Sequence, residues 1–424
     1  MTPLRSWVRA QPGMRMRADV LAGLTTGVML IPQAMAYAML AGLPPIVGLY
    51  ASTLPLLVYA VFGTSRELAV GPVAMDSLLV ASALAPIAAV GSDRYLELAV
   101  LLALMVGAVQ LVLGLLRAGG LLDLLKRPVI SGFTSAAAII IGLSQLSNLL
   151  GVSLPREKQV HRLLLALGDV IGDVHLATVT LGVLGIVVLK VLAKFAPKVP
   201  RALVVVVLGS VAVSALGLDA AGVAIVGEVP SGLPALSVPS VALDDVQTLL
   251  PSALVLSLVA FMEAASVGKA VAAKREGSID PSKELVGLGL ANAASALVGG
   301  YVVTGGFSRT AVNAQAGARS RWSGVVTALL IITTLLFLTG WFQYLPNAML
   351  AAIIMSAVFG LVDLREARRL WSSARPDFAL WVITFSGTLF AGIEIGIGAG
   401  VLASLVLSTL RRLGCTPAAT PPTP

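Results

Sequence analysis

The sequence predicts an all-α polytopic membrane protein, and three observations predict it. Charged residues are only 12% of the 424, against the usual ~25% of a soluble domain. The hydrophobic set reaches 57% and mean hydropathy is +0.95. The third observation is distribution: residues 20–65 form a run of 46 without Asp, Glu, Lys or Arg, and residues 322–362 a run of 41. A bilayer-spanning helix needs ~20 apolar residues, so each run holds two spans. A soluble enzyme, a disordered chain and a secreted disulfide scaffold are excluded. The single cysteine, Cys415, permits no intrachain disulfide.

Charge-free runs and helix breakers then give fourteen segments in order. The first is 20–40, closed by Gly42 and the Pro44–Pro45 pair. Next come 46–62, a third from 68 to about 90, 98–116 and 128–150. Segments six and seven are 176–192 and 202–218, followed by a Pro/Gly-rich loop over 219–245. The second half runs 246–267, a shortened 285–298, 301–318, 322–338, 344–361, 378–391 and 395–410. The arginines before residue 18 precede an apolar run too long for a signal peptide.

Basic residues orient the chain. An even count puts both termini on one side. With that side cytoplasmic, only Arg94, Arg156, Lys158 and Arg162 of the 29 Lys/Arg fall outside, and Arg309 lies within a span. This bias predicts an even count with cytoplasmic termini, and the plasma (cytoplasmic or inner) membrane is the location expected. It also explains the pI of about 9.9 as topology, with no nucleic-acid partner implied.

Two segments are interrupted. The third opens Leu68-Ala-Val-Gly-Pro72 and the tenth Tyr301-Val-Val-Thr-Gly-Gly306. Each reads as a short extended stretch followed by a half-helix that starts inside the membrane. They stand at position three of each seven-segment half. Because seven is odd, the halves are inverted, and interrupted segments at matching positions of inverted halves point to a transporter binding site.

Two half-helix N-termini meeting at mid-membrane would form an anion site, each end acting like about half a positive charge. Phe307-Ser308-Arg309 fits the second end. Ser308 offers a hydroxyl, as ligand contact or helix cap. Arg309 offers a full charge inside a span, where ionisable groups are functional by default; a tie to a neighbouring helix is the other reading. Glu263, in segment eight, is expected to be protonated or paired, since a bare buried carboxylate is costly. Protonation would suit proton coupling, pairing would mean a fixed bridge to Arg309. Asp76 sits one turn into segment three, where the helix dipole alone could account for it. In segment one Pro32 should kink the helix, and Gln33 and Tyr37, four apart, share a face.

Enzyme motifs fail. Ser266-Val-Gly-Lys269 matches S-x-x-K without its companion motifs. No phosphate loop and no Cys/His metal cluster occur, so no cofactor, metal or catalytic residue is expected. His161 and His175 are expected to be solvated loop residues, and the glycines of 287–300 to allow close helix packing.

The stretch Ile31-Pro-Gln-Ala-Met-Ala-Tyr-Ala-Met-Leu-Ala-Gly-Leu-Pro-Pro-Ile-Val-Gly-Leu-Tyr50 resembles the signature of the sulfate permease (SulP) family. Gly63-Thr-Ser-Arg-Glu-Leu-Ala-Val-Gly-Pro-Val73 and Thr304-Gly-Gly-Phe-Ser-Arg-Thr-Ala-Val-Asn313 resemble that family's entries to segments three and ten. The resemblance runs from about Arg15 to Arg412. It implies a 7+7 inverted repeat, with a core (about 19–118 and 246–340) and a gate (about 119–245 and 341–412) between a cytoplasmic 1–18 and a Pro-rich tail at 413–424. It implies elevator-like anion movement and a homodimer. The family's anion-site residues fall on Gln33, Tyr37, Val73, Phe307, Ser308 and Arg309, and a coupling carboxylate on Glu263. Asp76 departs from the family pattern, and reads as a second proton or cation site.

Family members carry a STAS domain after the last span; the tail here is too short for one, so the transmembrane domain alone is expected. The function implied is proton-coupled uptake of an inorganic oxyanion, sulfate first. The alternatives are sodium- or proton-coupled bicarbonate or dicarboxylate transport, or a passive channel or motor-like protein.

Overall fold

A computed structural model describes residues 14–120, 127–154, 160–196, 199–238, 241–273 and 279–412. The first thirteen residues, the loop with Arg156 and Lys158, and the 413–424 tail with Cys415 lie outside the described residues. Helix dominates, as the composition demands. Among the described residues seven helices are long and apolar enough to cross a membrane, and four shorter ones are apolar.

The chain divides into two compact units. The first comprises residues up to Gly119, Asn148–Gly151 and His175–Ile354. Helix α1 (Met14–Leu40) runs through Pro32, which lacks the N–H to bond the Val28 carbonyl. Segment two, expected to be continuous, is two pieces, α2 (Pro45–Tyr50) and α3 (Leu54–Phe62). Pro55 in the first turn of α3 has no N–H for the carbonyl of Ala51, so the helix restarts there. Gly48 of α2 packs so close to α1 that a Cβ would lie 1.9 Å from the Ala34 carbonyl oxygen. Any side chain there would force the helices apart.

Strand β1 (Val70–Gly71) follows, then α4 (Ala74–Leu84) and α5 (Asp93–Leu115). Further on, His175 precedes a helix, Leu176–Phe195, binding Thr178 Oγ1 at 2.7 Å and the Ala221 carbonyl at 3.1 Å. It is therefore a tied residue rather than the solvated one expected.

The second unit comprises Gly120–Ser147, Val152–Val174 and Met355 onward. Helix α6 (Arg127–Ser144) lies against a helix at Arg375–Ser386 through Gly132, whose added Cβ would sit 2.6 Å from the Trp381 carbonyl. Two amphipathic helices here escaped the span pattern because they are short and charged. Val160–Val170 stands where a loop was expected; it buries Val160 and Leu163 and carries His161 on its exposed side. Leu364–Ser373 is capped by Asp363, which accepts from Glu366 N at 2.9 Å, and buries only Leu370.

The rest of the first unit completes the site's frame. It holds α7 (Leu243–Ala273), α8 (Pro281–Leu297), β2 (Thr304–Gly305), α9 (Phe307–Gln315) and α10 (Trp322–Phe337). The glycines of 287–300 do allow close packing. Gly289 of α8 meets Gly107 of α5, where a Cβ added to either would lie 2.8 Å from the other's carbonyl oxygen.

Candidate anion site at two paired half-helices

The interrupted segments meet. β1 and β2 pair antiparallel, Val70 opposite Gly305 and Gly71 opposite Thr304. Each strand hands directly to a half-helix, α4 after Val73 and α9 after Gly306. Neither helix has a side-chain cap, so first-turn N–H groups, which have no intrahelical partner, are left for an occupant. Non-helical backbone at membrane depth must be satisfied by protein, and it is. Asn292 of α8 accepts from Val303 N at 2.8 Å and donates to the Val303 carbonyl at 3.0 Å. Asn313 of α9 donates to the Glu67 carbonyl at 2.8 Å. Thr310 accepts from Ala69 N at 3.0 Å, Ser295 donates to the Tyr301 carbonyl at 2.6 Å, and Thr304 donates to Ala260 of α7.

Arg309, in the first turn of α9, is 1% exposed. Its Nη1 donates to the Pro72 carbonyl at 2.7 Å, so it ties the second half-helix to the entry of the first. Its Nε and Nη2 have no partner. One nitrogen is thus a tie between the segments, and two are donors without an acceptor. Gly71 and Gly306 line the guanidinium; a Cβ on Gly306 would approach Nη2 to 2.9 Å.

The acceptors are orphaned too. Asp76 is fully buried with neither carboxylate oxygen partnered. Glu263 of α7 has a buried, unpartnered Oε2 and makes no ion pair with Arg309, although the two interact electrostatically. Asp76 and Glu263 also feel each other. Gln33, buried, has an unpartnered Oε1, and Tyr37, one turn on along α1, is within Coulombic range of Arg309 and Glu263. Val73 is buried at the N-cap of α4, whereas Phe307 and Ser308 open α9 with exposed side chains.

The clamps Asn292, Thr310 and Asn313, with the Tyr301–Ser77 hydroxyl pair at 3.0 Å, were not singled out from sequence. A buried Asn beside a predicted break is the signal that would have found them. Glu284 was missed as well: it is fully buried in the first turn of α8, accepting from the Tyr59 and Thr64 hydroxyls and from Thr64 N at 3.1 Å. It ties α3 to α8. A small pocket beside the strands is lined by Leu30, Tyr59, Arg66, Val70, Asn313 and Arg321, among others, but not by Arg309, Asp76 or Glu263. Among the described residues no group of His, Cys, Asp and Glu could hold a metal ion.

Paired half-helices buried among long apolar helices define an integral membrane protein of the re-entrant, half-helix class. The chain belongs to the sulfate permease family, whose description matches residues 16–384. It is 44% identical over 412 residues to sulfate transporter 4.1, chloroplastic, of Arabidopsis thaliana, covering 95% of this chain and 60% of that one. A probable sulfate transporter of Mycobacterium tuberculosis is 37% identical over 401 residues, covering 94% of this chain and 71% of that one. The chain thus spans about 60% of the length of the first of these relatives. In fold it matches the structure of SLC26A9 with a TM-score of 0.91 at 23% identity, over 96% of this chain and 68% of that one. It matches the transmembrane domain of the cyanobacterial bicarbonate transporter BicA with a TM-score of 0.78 at 27% identity, over 92% and 98%. Relatives so named are transporters, not enzymes.

Proposed function

We propose that the chain is a secondary active transporter of an inorganic oxyanion, sulfate first, driven by proton symport. The observation that carries the reading is Arg309, buried between two uncapped half-helix N-termini with Nε and Nη2 unpartnered. Preorganised donors without an acceptor suit a ligand that brings oxygens and negative charge. The names of the Arabidopsis and Mycobacterium relatives favour sulfate among such ligands. Gln33, Tyr37 and Val73 line the anion position, with Phe307 and Ser308 at its open edge. Glu263, buried near Arg309 without an ion pair, is the coupling group.

In this reading residues 19–118 and 246–340 act as the core that carries the anion, and 119–245 with 341–412 as the gate. Transport proceeds by an elevator-type shift in a homodimer of the inner membrane, with both termini cytoplasmic. Uptake of labelled sulfate into proteoliposomes under an imposed pH gradient tests it. Uptake that ignores the gradient removes the proton coupling; no uptake removes sulfate. A second reading is sodium- or proton-coupled bicarbonate transport, its substrate favoured by the name of the bicarbonate transporter BicA; it predicts an anion preference for bicarbonate, and in its sodium-coupled form a flux that follows sodium.

A further inference from the structure

Charge bookkeeping at the site goes beyond which anion fits. On the positive side stand Arg309 and the two half-helix N-termini. An end of this kind acts as about half a charge, so the positive total is about two. On the negative side stand Asp76 and Glu263, also two. Neither carboxylate is ion-paired, and three of the site's carboxylate oxygens lack any hydrogen-bond partner while being buried. Asp76 is 0% exposed. A plain helix-dipole role would not need complete burial, because the dipole acts equally well on an exposed first-turn carboxylate.

The groups around this pair are few. From α1, Tyr37 faces the centre, and from the re-entrant segment before α9, Tyr301, whose hydroxyl pairs with Ser77. Arg309 comes from α9, and Glu263 from α7. Helix α5, the remaining element packed on α4, carries its charges, Asp93, Arg94 and Glu97, in its first five residues. Glu284 of α8 is engaged with Tyr59 and Thr64. The other charges of α1 and α7, Arg17 and Asp19 in the opening turns of α1 and Asp244, Asp245 and Lys269 toward the ends of α7, stand away from Asp76 along their helices, and among the described residues Glu263 is the charged group that acts on it.

We infer that Asp76 and Glu263 each carry one proton with the anion, so that a divalent oxyanion crosses with two protons and no net charge. The inference rests on the proton-coupled reading above. In the loaded state, two neutral carboxylic acids leave the positive total of about two to the doubly charged anion. In the empty state both acids have released their protons and the two carboxylates take the anion's place opposite the same positive groups. Each half of the cycle is then electrically balanced, and no net charge has to cross the low-dielectric interior in either direction. Asp76 is the residue that makes the balance divalent; with Glu263 alone the loaded and empty states would differ by one charge.

The test is a flux-balance measurement on the full chain in proteoliposomes, with the membrane potential clamped by potassium and valinomycin. For two protons per sulfate, a tenfold outward sulfate gradient is balanced by a pH difference of about 0.5, at every clamped potential. For one proton the balance falls at about 1 unit and moves with potential. The expected result is balance at about 0.5 without voltage dependence. Asp76→Asn should move the balance to about 1 and make it voltage-dependent. Proton-driven uptake by the unaltered protein that balances at about 1, or shifts with voltage, overturns the paired loading and leaves the transport reading intact. An Asp76→Asn protein that balances as the unaltered one does also overturns it. Absence of any proton-driven sulfate uptake overturns the transport reading and, with it, this use of the pair.

Discussion

The two re-entrant segments are built to one plan and charged in opposite senses. Residues 68–84 and 301–315 each run as an extended stretch, a two-residue strand, an uncapped N-terminus and a half-helix. The first puts a carboxylate in its opening turn, Asp76, and the second a guanidinium, Arg309. Yet they do not pair: Arg309 binds the Pro72 carbonyl, and Asp76 binds nothing. A fixed bridge between them would be the cheaper arrangement in a membrane interior, since it would neutralise two charges at once. In the proposed cycle both groups await an occupant, with the anion role on the second segment and a proton role on the first.

Breaking the cationic side should have the largest effect. Arg309→Ala is expected to weaken sulfate binding by about 100-fold, the upper range for losing hydrogen bonds to a charged group. Calorimetric titration of the purified protein measures it, with a thermal melt alongside. Unchanged affinity would remove Arg309 from the site, and a protein that no longer folds would make its bond to Pro72 the dominant role.

The partner of the acidic side comes next. Glu263→Gln keeps shape and removes the titrating group. Proton-driven accumulation should be abolished while sulfate–sulfate exchange persists. Accumulation equal to the unaltered protein's would strip Glu263 of its coupling role.

Much of this contrast was legible in the sequence because its signals are coarse and local. Gly71–Pro72 and Gly305–Gly306 mark breaks in otherwise apolar runs, and a charge within such a run is conspicuous, so Asp76, Glu263 and Arg309 stood out. What holds the breaks in place was not legible. Asn292 and Asn313 are neutral, sit in ordinary helical sequence, and acquire meaning only when non-helical backbone 11 or 246 residues away lies against them. Segment two looked continuous because its apolar pattern is; only the missing N–H of Pro55 divides it. The helices at 160–170 and 364–373 were invisible to a search for long charge-free runs because their stripes are narrow. Glu284 fell one residue outside an expected span, and nothing local says that its carboxylate faces Tyr59 and Thr64.

The clamps allow the comparison to be sharpened on stability rather than transport. Asn292→Ala should leave both the N–H and the carbonyl of Val303 buried without partners, at about 1–3 kcal/mol for each such group. Asn313→Ala removes a single backbone bond, that to the Glu67 carbonyl on the first segment, with side-chain bonds to Thr26 at 3.4 Å and Ser323 at 3.1 Å. Unfolding in detergent should therefore show the greater loss for Asn292→Ala. Equal losses would mean that water replaces the missing amide at both places.

The smallest expected effect lies at the start of α8, the helix that carries the Asn292 clamp. Asp280 caps it, accepting from Ser282 N at 3.0 Å and Lys283 N at 3.2 Å. The Lys283 backbone bond, with further help from its ammonium at 3.2 Å, holds the exposed Asp280 carboxyl below its ordinary value. A carboxyl lowered by folding stabilises the fold above its unfolded value, and that contribution fades as pH falls through the folded value. Asp280→Ala should thus cost about 1 kcal/mol at neutral pH, as loss of a helix cap does, and less once the Asp280 carboxyl of the unaltered protein is protonated in the folded and unfolded states alike. Melting curves of the two proteins should approach each other below the ordinary carboxylate range. Since the cap lies at the far end of α8 from Asn292, its loss should lower the melting point without moving either the pH dependence or the sulfate affinity of the site.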